Sequence, residues 1–190
     1  MKELEEKILR EGKVLPGDIL KVGGFLNQNI DTSLLSDMAA EIARLFEGCG
    51  VTKILTIEAS GIAIAAAAGM TMGVPVLFAK KHRTSNVDGS VYTTVVHSFT
   101  HNEDYNVVIS RDYLSKDDKV LLIDDFLANG HALRGLMELT SLAGAELVGV
   151  AIAIEKCFTG AGDKLRAEGV RIESLAAIEA MTSEEVIFRS

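Results

Sequence analysis

The sequence predicts an α/β fold with a central, mostly parallel sheet flanked by helices, and three observations support this prediction. Residues 120–123 and 147–154 are continuous apolar runs, typical of strands buried on both faces of a parallel sheet, and residues 54–57 are predicted to form a further strand. Segments with helical spacing of apolar residues lie between them. The 48% hydrophobic content with 5% aromatics fits a core of small aliphatic side chains. At 190 residues, the chain is predicted to form one domain, residues 1–190.

Composition argues against several functional classes. The formal charge of −8 and the lack of a basic stripe argue against nucleic acid as a partner. The charged amino terminus and the lack of an apolar run of about 20 residues argue against a secretory signal and a membrane span. Cys49 and Cys157 lack metal or redox spacing, and the four histidines lack zinc spacing, so reduced thiols in a cytosol are expected.

The first 50 residues alternate between helical and irregular patterns. Residues 1–11 predict a short amphipathic helix that Gly12 ends. Residues 14–29 contain a proline and several glycines, and we interpret them as a connector or edge strand that straps its apolar side chains against the sheet. Asp31 is predicted to cap a helix that runs to about residue 48.

Two further strand ends carry polar or charged residues. The strand at 54–57 leads through Glu58, Ala59, Ser60 and Gly61 into an alanine-rich helix to residue 72, so this loop predicts either a plain cap or an anion site. The strand at 74–80 ends in lysines, which either form a solvated basic turn or screen an anion. Residues 84–98, polar with strand-like flanks, are the best lid candidate, and a strand is expected at 106–110.

The chemistry is predicted at residues 119–134. The apolar strand at 120–123 is followed by Asp124 and Asp125, then by a small loop and a helix that starts at Gly130. Ligands of open α/β sheets bind beyond the carboxyl ends of strands, where helix N–H groups meet anions. The alternative is an N-cap with a spare surface acid. Adjacent acids point to opposite sides of a strand, so no single structural role covers both. The apolar face of the helix is predicted at Leu133, Leu136, Met137, Leu142 and Ala143.

The last third of the chain continues the alternation of strands and helices. Gly144 is predicted to end the preceding helix. The strand at 147–154 leads to Lys156, which either reaches solvent or donates a hydrogen bond to an oxygen of a ligand. A short helix at 160–168, a strand at 170–175 and an extended piece at 186–189 complete the chain.

The strand, acidic pair, small loop and helix resemble the 5-phosphoribosyl-1-diphosphate (PRPP) signature of the type I phosphoribosyltransferases, with their fold and a hood over the base. The family loop commonly carries Thr or Ser hydroxyls beside its glycine, whereas this loop has none, so backbone N–H groups are expected to hold more of the phosphate. The resemblance implies that Asp124 and Asp125 hold the ribose hydroxyls, and that Mg²⁺ arrives with PRPP, without a metal site of the protein's own. It assigns Ala128, Asn129, Gly130, His131 and Ala132 to the 5′-phosphate, and Ala59, Ser60 and Gly61 to pyrophosphate, whose charge Lys81 is expected to screen.

Within that family, the Ala-Asn-Gly loop, Lys156 and the opening segment most resemble the xanthine branch. This implies transfer of ribose 5-phosphate from PRPP to xanthine in purine salvage, by a cytoplasmic homodimer. Residues 1–30 would contribute to the hood, with Leu20, Asn27 and Lys156 at the base. The alternatives are a hypoxanthine/guanine or adenine transferase, or a non-catalytic PRPP- or purine-sensing regulator. Such regulators carry an added DNA-binding module, for which the chain has neither spare length nor a basic helix.

Overall fold

The computed structural model describes residues 1–82, 90–98, 103–182 and 185–189. Within these ranges the chain forms ten strands, five α-helices and one π-helical turn, Gly23–Asn27. The helices are α1 Lys2–Glu11, α2 Thr32–Leu45, α3 Gly61–Met72, α4 His131–Leu142 and α5 Ala161–Ala167. The strands are β1 Lys13–Leu15, β2 Ile19–Lys21, β3 Lys53–Ile57, β4 Val76–His82, β5 Val91–Ser98, β6 Glu103–Ser110, β7 Lys119–Leu127, β8 Glu146–Lys156, β9 Ile172–Met181 and β10 Val186–Phe188.

The central sheet confirms the predicted fold class. Eight of the described strands form it, in the order β10-β9-β8-β7-β3-β4-β6-β5. The five inner strands from β9 to β4 pair in parallel, while β10, β6 and β5 add antiparallel edges. The helices that connect the parallel strands cover both faces of the sheet, which explains why its strands are continuously apolar.

The helices that follow β3 and β7 leave toward opposite faces of the sheet. Ile64 and Ala65 of α3 pack in a core with α1, α2 and the opening segment. Leu133 and Leu136 of α4 pack with Leu165 of α5 in a second core. Because β3 and β7 are neighbours, their diverging helices open a crevice at the carboxyl ends of the two strands, the usual ligand position in such sheets.

The opening segment is a strap with its own small hairpin. β1 and β2 pair antiparallel, and the π-helical turn follows. Val22, Phe25 and Leu26 are buried against the core, which confirms the predicted strap, although Ile19 is 50% exposed. The predicted cap is also confirmed, because Asp31 Oδ1 accepts hydrogen bonds at 3.2 Å from two N–H groups of α2, worth about 1 kcal/mol.

Several element boundaries and one side chain differ from the prediction. Helix α2 ends at Leu45, three residues early, β9 runs on to Met181, and β7 continues through both acids to Leu127. The extension of β7 follows from its pairing with β8, which local sequence does not reveal. Leu142 is 51% exposed, because Leu139 instead completes the buried stripe of α4.

The predicted lid falls partly outside the described residues. Residues 84–89 lie there, whereas Val91–Ser98 is strand β5, paired with β6 along its length. A Cβ added to Gly135 of α4 would lie 2.4 Å from Val96 Cγ2, so β5 packs directly against that helix. In the ranges that the structure covers, no helix has the length and apolar character needed to cross a membrane.

Candidate functional site

The two acids lie on β7 itself and face different surroundings. Asp124 is buried, with 6% of its surface exposed, whereas Asp125 is half-buried. Oδ1 of Asp124 accepts a hydrogen bond from the Asp125 N–H at 2.9 Å, and Oδ1 of Asp125 accepts one from the Phe126 N–H at 3.0 Å. Asp124 is therefore enclosed rather than exposed at the strand end, with Gly61 of α3 beside its Oδ1.

Burial makes Asp124 a weaker acid than an exposed aspartic acid. Loss of hydration raises its pKa well above the ordinary value, and the negative charge of Asp125 raises it further. The hydrogen bond from the Asp125 N–H and the ammonium of Lys81 oppose this shift. Burial and the charge of Asp124 also raise the pKa of Tyr105, on β6. The site thus holds a buried carboxyl group that ionises less readily than an exposed one.

The loop after β3 and the lysine of β4 meet beside Asp124. The Lys81 N–H donates a hydrogen bond to Oε1 of Glu58, at the start of the loop, and the Lys81 ammonium lies 5.1 Å from the centre of the Tyr105 ring. A Cβ added to Gly61 would lie 3.0 Å from Oδ1 of Asp124, so the loop touches the acid. The structure therefore brings the predicted residues 59–61, Lys81 and Asp124 together in space.

The loop after β7 presents backbone donors at the start of α4. Gly130 has φ +78°, a left-handed conformation that favours glycine. The Arg134 N–H returns to the Gly130 carbonyl at 2.9 Å, which closes the first helical turn. N–H groups of a first turn point away from the helix, toward a ligand. On the other side, the Thr159 hydroxyl donates to the Ala128 carbonyl at 2.7 Å and anchors the loop.

A cavity of about 340 Å³ opens beside this loop. Two of the cations on its wall differ in their availability. The Arg134 guanidinium is paired with Glu168 at 2.7 and 3.1 Å, whereas Lys164 has no ion pair among the described residues. The cavity is lined by Asn129, Gly130, His131, Arg134, Thr159, Ala161, Lys164 and Leu165.

The predicted base residues come from both ends of the chain. The Lys156 ammonium donates to the carbonyl of Asp18, in the turn of the β1–β2 hairpin, at 2.7 Å. It also lies 5.5 Å from the centre of the Phe126 ring. Burial lowers the pKa of Lys156, while the charge of Asp18 opposes that shift. Lys156 therefore does not simply reach solvent.

The opening segment also reaches the acidic pair. The side-chain amide of Asn27 donates to Oδ2 of Asp125 at 3.4 Å, which links residues 98 positions apart. Leu20 lies on β2 two residues after Asp18, but its side chain is buried in the core, so a ligand there would meet its backbone. The structure therefore brings Asn27 and Lys156 to the two sides of the Asp125–Phe126 segment.

A buried ion pair holds the end of β8 beneath Lys156. Glu155 is 1% exposed, and its two carboxylate oxygens accept hydrogen bonds from Arg166 of α5 at 2.8 and 2.6 Å. The Ser174 hydroxyl donates to the same carboxylate. These contacts keep the pKa of Glu155 below its ordinary value despite its burial. They fix the strand end that carries Lys156.

The sequence-based prediction missed several residues of this site. Phe126 was missed because the strand was predicted to end at residue 123, whereas β7 continues to Leu127. Had the strand been extended, the alternation of its side chains would have placed the Phe126 ring beside the site. Nothing local marked Asp18, Tyr105 or Lys164, because their roles depend on contacts between distant segments. Thr56 was also missed. Its hydroxyl is the one buried polar side-chain atom without a hydrogen-bond partner in the part of the chain that the structure describes.

Comparison with known proteins identifies similar chains. Residues 29–171 match the family model described as a phosphoribosyl transferase domain. Over 193 aligned residues the chain is 52% identical to a xanthine phosphoribosyltransferase of Bifidobacterium adolescentis, and over 190 it is 50% identical to xanthine phosphoribosyltransferase 2 of Clostridium botulinum. Both alignments cover all of both chains. A solved adenine phosphoribosyltransferase of Giardia lamblia is similar in fold, with a TM-score of 0.77 at 19% identity, over 90% of this chain and 96% of that one.

Proposed function

The chain belongs to the phosphoribosyl transferase domain family, and on that premise we propose that it transfers ribose 5-phosphate from PRPP to xanthine. The products are xanthosine 5′-monophosphate and pyrophosphate, as purine salvage requires. The choice of xanthine rests on one observation, the identity of about half of all residues, over the full length, with proteins named for that base. The adenine enzymes of similar fold are too distant in sequence to argue for adenine.

In this proposal the crevice between β3 and β7 holds the ribose and its phosphates. Asp124 and Asp125 accept hydrogen bonds from the two ribose hydroxyls. The backbone of residues 128–132 binds the 5′-phosphate, and the nearby Lys164 adds positive charge. The loop 59–61 and Lys81 bind pyrophosphate. The contacts among these segments support one continuous site.

Transfer forms a bond from a ring nitrogen of xanthine to carbon 1 of ribose while the bond from that carbon to pyrophosphate breaks. Positive charge builds up on the ribose and negative charge on the leaving group, so the residues must stabilise both and exclude water. No nucleophilic side chain is needed. The Asp124 carboxylate accepts hydrogen bonds from the ribose hydroxyls, and its negative charge stabilises the positive charge that develops on the ribose.

Mg²⁺ is proposed to arrive on PRPP, with its own waters. Among the described residues there is no group of three or more His, Cys, Asp or Glu side chains that would hold a metal ion. Mg²⁺ prefers oxygen ligands and keeps several waters, so the phosphate and hydroxyl oxygens of PRPP suit it. When bound, the ion neutralises charge on the departing pyrophosphate.

The base is proposed to lie between the strap and Lys156, with residues 1–30 forming its hood. Xanthine has oxygens at positions 2 and 6, and both require donors. The Lys156 ammonium is one donor and the Asn27 amide is another, while the backbone of Leu20 contacts the ring. In the ligand-free protein both donors bind protein acceptors, the Asp18 carbonyl and the Asp125 carboxylate, so xanthine must replace these hydrogen bonds.

Three wider properties belong to the same proposal. The whole chain, residues 1–190, acts as one domain. The protein works in the cytoplasm, for which the two free cysteines are suited because thiols stay reduced there. It forms a homodimer. Exposed apolar side chains such as Met70 of α3, 85% accessible, offer surface for it, and sedimentation analysis tests it.

Product analysis tests the proposed function. The purified protein is incubated with Mg²⁺, PRPP and xanthine, and the mixture is separated by chromatography. Formation of xanthosine 5′-monophosphate and pyrophosphate in equal amounts is expected. Consumption of PRPP without a nucleotide product, or no reaction with any purine, would contradict the proposal.

A further inference from the structure

The inference concerns Thr56, the fourth residue of β3. Its side chain is fully buried, and its hydroxyl oxygen has no hydrogen-bond partner among residues 1–82, 90–98, 103–182 and 185–189. Buried polar groups are nearly always paired, because leaving one unpaired destabilises the folded protein, so an exception requires an explanation. A valine of the same shape would fill this position without that cost.

The hydroxyl of Thr56 and the carboxyl group of Asp124 border the same space beside Gly61. A Cβ built on Gly61 would lie 2.2 Å from the Thr56 hydroxyl oxygen and 3.0 Å from Oδ1 of Asp124. Both oxygens therefore converge on the space that Gly61 leaves empty at the start of α3. Any larger residue at position 61 would collide with the hydroxyl. Glycine at position 61 thus keeps a donor and a buried carboxyl group close to each other.

The position of Thr56 within the sheet suits a ligand-dependent contact. β3 pairs with β7 from Lys53–Val120 to Leu55–Leu122, and Thr56 is the next residue, where the crevice opens between the two strands. On β7, Asp124 lies two residues after Leu122, one position further along the sheet than Thr56. Because both oxygens border the same space beside Gly61, a hydrogen bond between them requires only a rearrangement of the Asp124 side chain.

We propose that Thr56 is a positioning residue for Asp124, whose carboxylate accepts a hydrogen bond from the Thr56 hydroxyl when PRPP is bound. Without PRPP, the unpaired buried hydroxyl destabilises the folded protein. In the PRPP complex, the hydroxyl donates a hydrogen bond and this destabilisation is removed. The contact holds the carboxylate toward the ribose and stabilises its charge in a buried place. This inference rests on the proposed role of Asp124 in PRPP binding.

The test compares Thr56→Val, Thr56→Ser and a control, Thr140→Val, in the full-length protein. Thr140 is equally buried, but its hydroxyl already donates to the Leu136 carbonyl at 2.8 Å inside α4. Three quantities are measured: the Kd of Mg·PRPP by calorimetry, kcat and KM for each substrate, and the Tm without ligand.

Thr56→Val is expected to weaken PRPP about tenfold, the effect of one hydrogen bond to a charged group, with the KM for xanthine unchanged. Its ligand-free Tm is expected to rise by about 2–4 °C, because the unpaired hydroxyl is gone. Thr56→Ser keeps the donor and is expected to bind PRPP within about threefold of wild type. Thr140→Val is expected to leave PRPP binding unchanged and to give no rise in Tm.

Opposite signs for stability and PRPP affinity identify a positioning role, because a merely structural residue would lower both. Unchanged PRPP affinity in Thr56→Val would overturn the inference, and so would a lower Tm, which would mean that the hydroxyl is already satisfied in the free protein. If the wild type forms xanthosine 5′-monophosphate while Thr56→Val binds PRPP normally, this inference fails and the proposed function stands.

Discussion

The ribose–phosphate half and the base half of the proposed site are built differently. The ribose–phosphate half, Asp124, Asp125 and residues 128–132, lies on one contiguous stretch that crosses the centre of the sheet. The base half, Leu20, Asn27 and Lys156, joins distant segments through single hydrogen bonds to Asp18 and Asp125, which link residues 138 and 98 positions apart. The ribose–phosphate half is built on a central strand of the sheet and binds PRPP, which is the same substrate whatever the base. The base half is held by few contacts, and we expect it to set base choice.

The largest effect should follow from removing both acids of the ribose–phosphate half. Asp124→Asn with Asp125→Asn is expected to lower kcat/KM for PRPP at least about a hundredfold, since each loses a charge-assisted hydrogen bond worth about 1.5–3 kcal/mol. The fold should survive, because asparagine has the same shape. Steady-state kinetics and circular dichroism measure both effects.

The control for the acid pair removes two acids at the other end of β7. Asp117→Asn with Asp118→Asn changes the net charge by the same amount as the double substitution of Asp124 and Asp125. It is expected to lower stability, because the ion pair between Asp118 and Lys53, 3.1 Å apart, is lost. Its kinetics should match wild type. Similar kinetic losses in both double variants would show that net charge, and not the position of the acids, is responsible.

Lys156→Met tests whether the base half can be damaged alone. Methionine keeps an apolar stem beside Phe126 but donates nothing, so kcat/KM for xanthine is expected to fall about 30-fold or more, with the Kd of PRPP within about twofold of wild type. The preference for xanthine over hypoxanthine should flatten. Lys119→Met, a surface lysine paired with Glu146, is the control. An undiminished preference for xanthine in Lys156→Met would remove Lys156 from the base half.

The same division explains what the sequence could predict. The acid pair and its loop are a local pattern, so buried strand, acids, glycine and helix were recognisable from order alone. The role of Lys156 came only from family resemblance, because its partner Asp18 lies 138 residues away. The burial of Asp124 and the continuation of β7 through Phe126 depend on strand pairing and on α3. Local hydropathy carries no information about either.

Gly130→Ala should affect the ribose–phosphate half selectively. The new Cβ would meet neighbours only at 3.5 Å or more, so the main cost is the left-handed backbone at φ +78°, about 1–2 kcal/mol. A shift of this loop to relieve the strain should weaken PRPP about tenfold and leave base preference unchanged. Gly73→Ala has the same backbone strain, φ +70°, at the far end of α3 and controls for stability. Equal loss of PRPP and xanthine binding would count against a separate phosphate loop.

The effect expected on stability alone is a pH-dependent difference at Asp124. Its pKa in the folded protein is raised above the ordinary 3.8, so the folded state holds this proton more tightly than the unfolded chain does. The stability that this gives is complete below pH 3.8 and is lost as pH rises through the higher folded pKa. Asp124→Asn should therefore be more stable than wild type at pH 8, by about 1–3 kcal/mol, and the gap should close toward pH 4. Urea unfolding across this range measures the gap, and a constant difference would contradict a raised pKa.

The most direct test of the central claim, that the base half selects xanthine, is the ratio of kcat/KM for xanthine to that for hypoxanthine at saturating Mg·PRPP. Hypoxanthine lacks the oxygen at position 2 and leaves one buried donor unpaired, which costs about 1–3 kcal/mol. We predict a ratio of at least about ten, with adenine barely used. A ratio of one or less, or a preference for guanine or adenine, would contradict the claim.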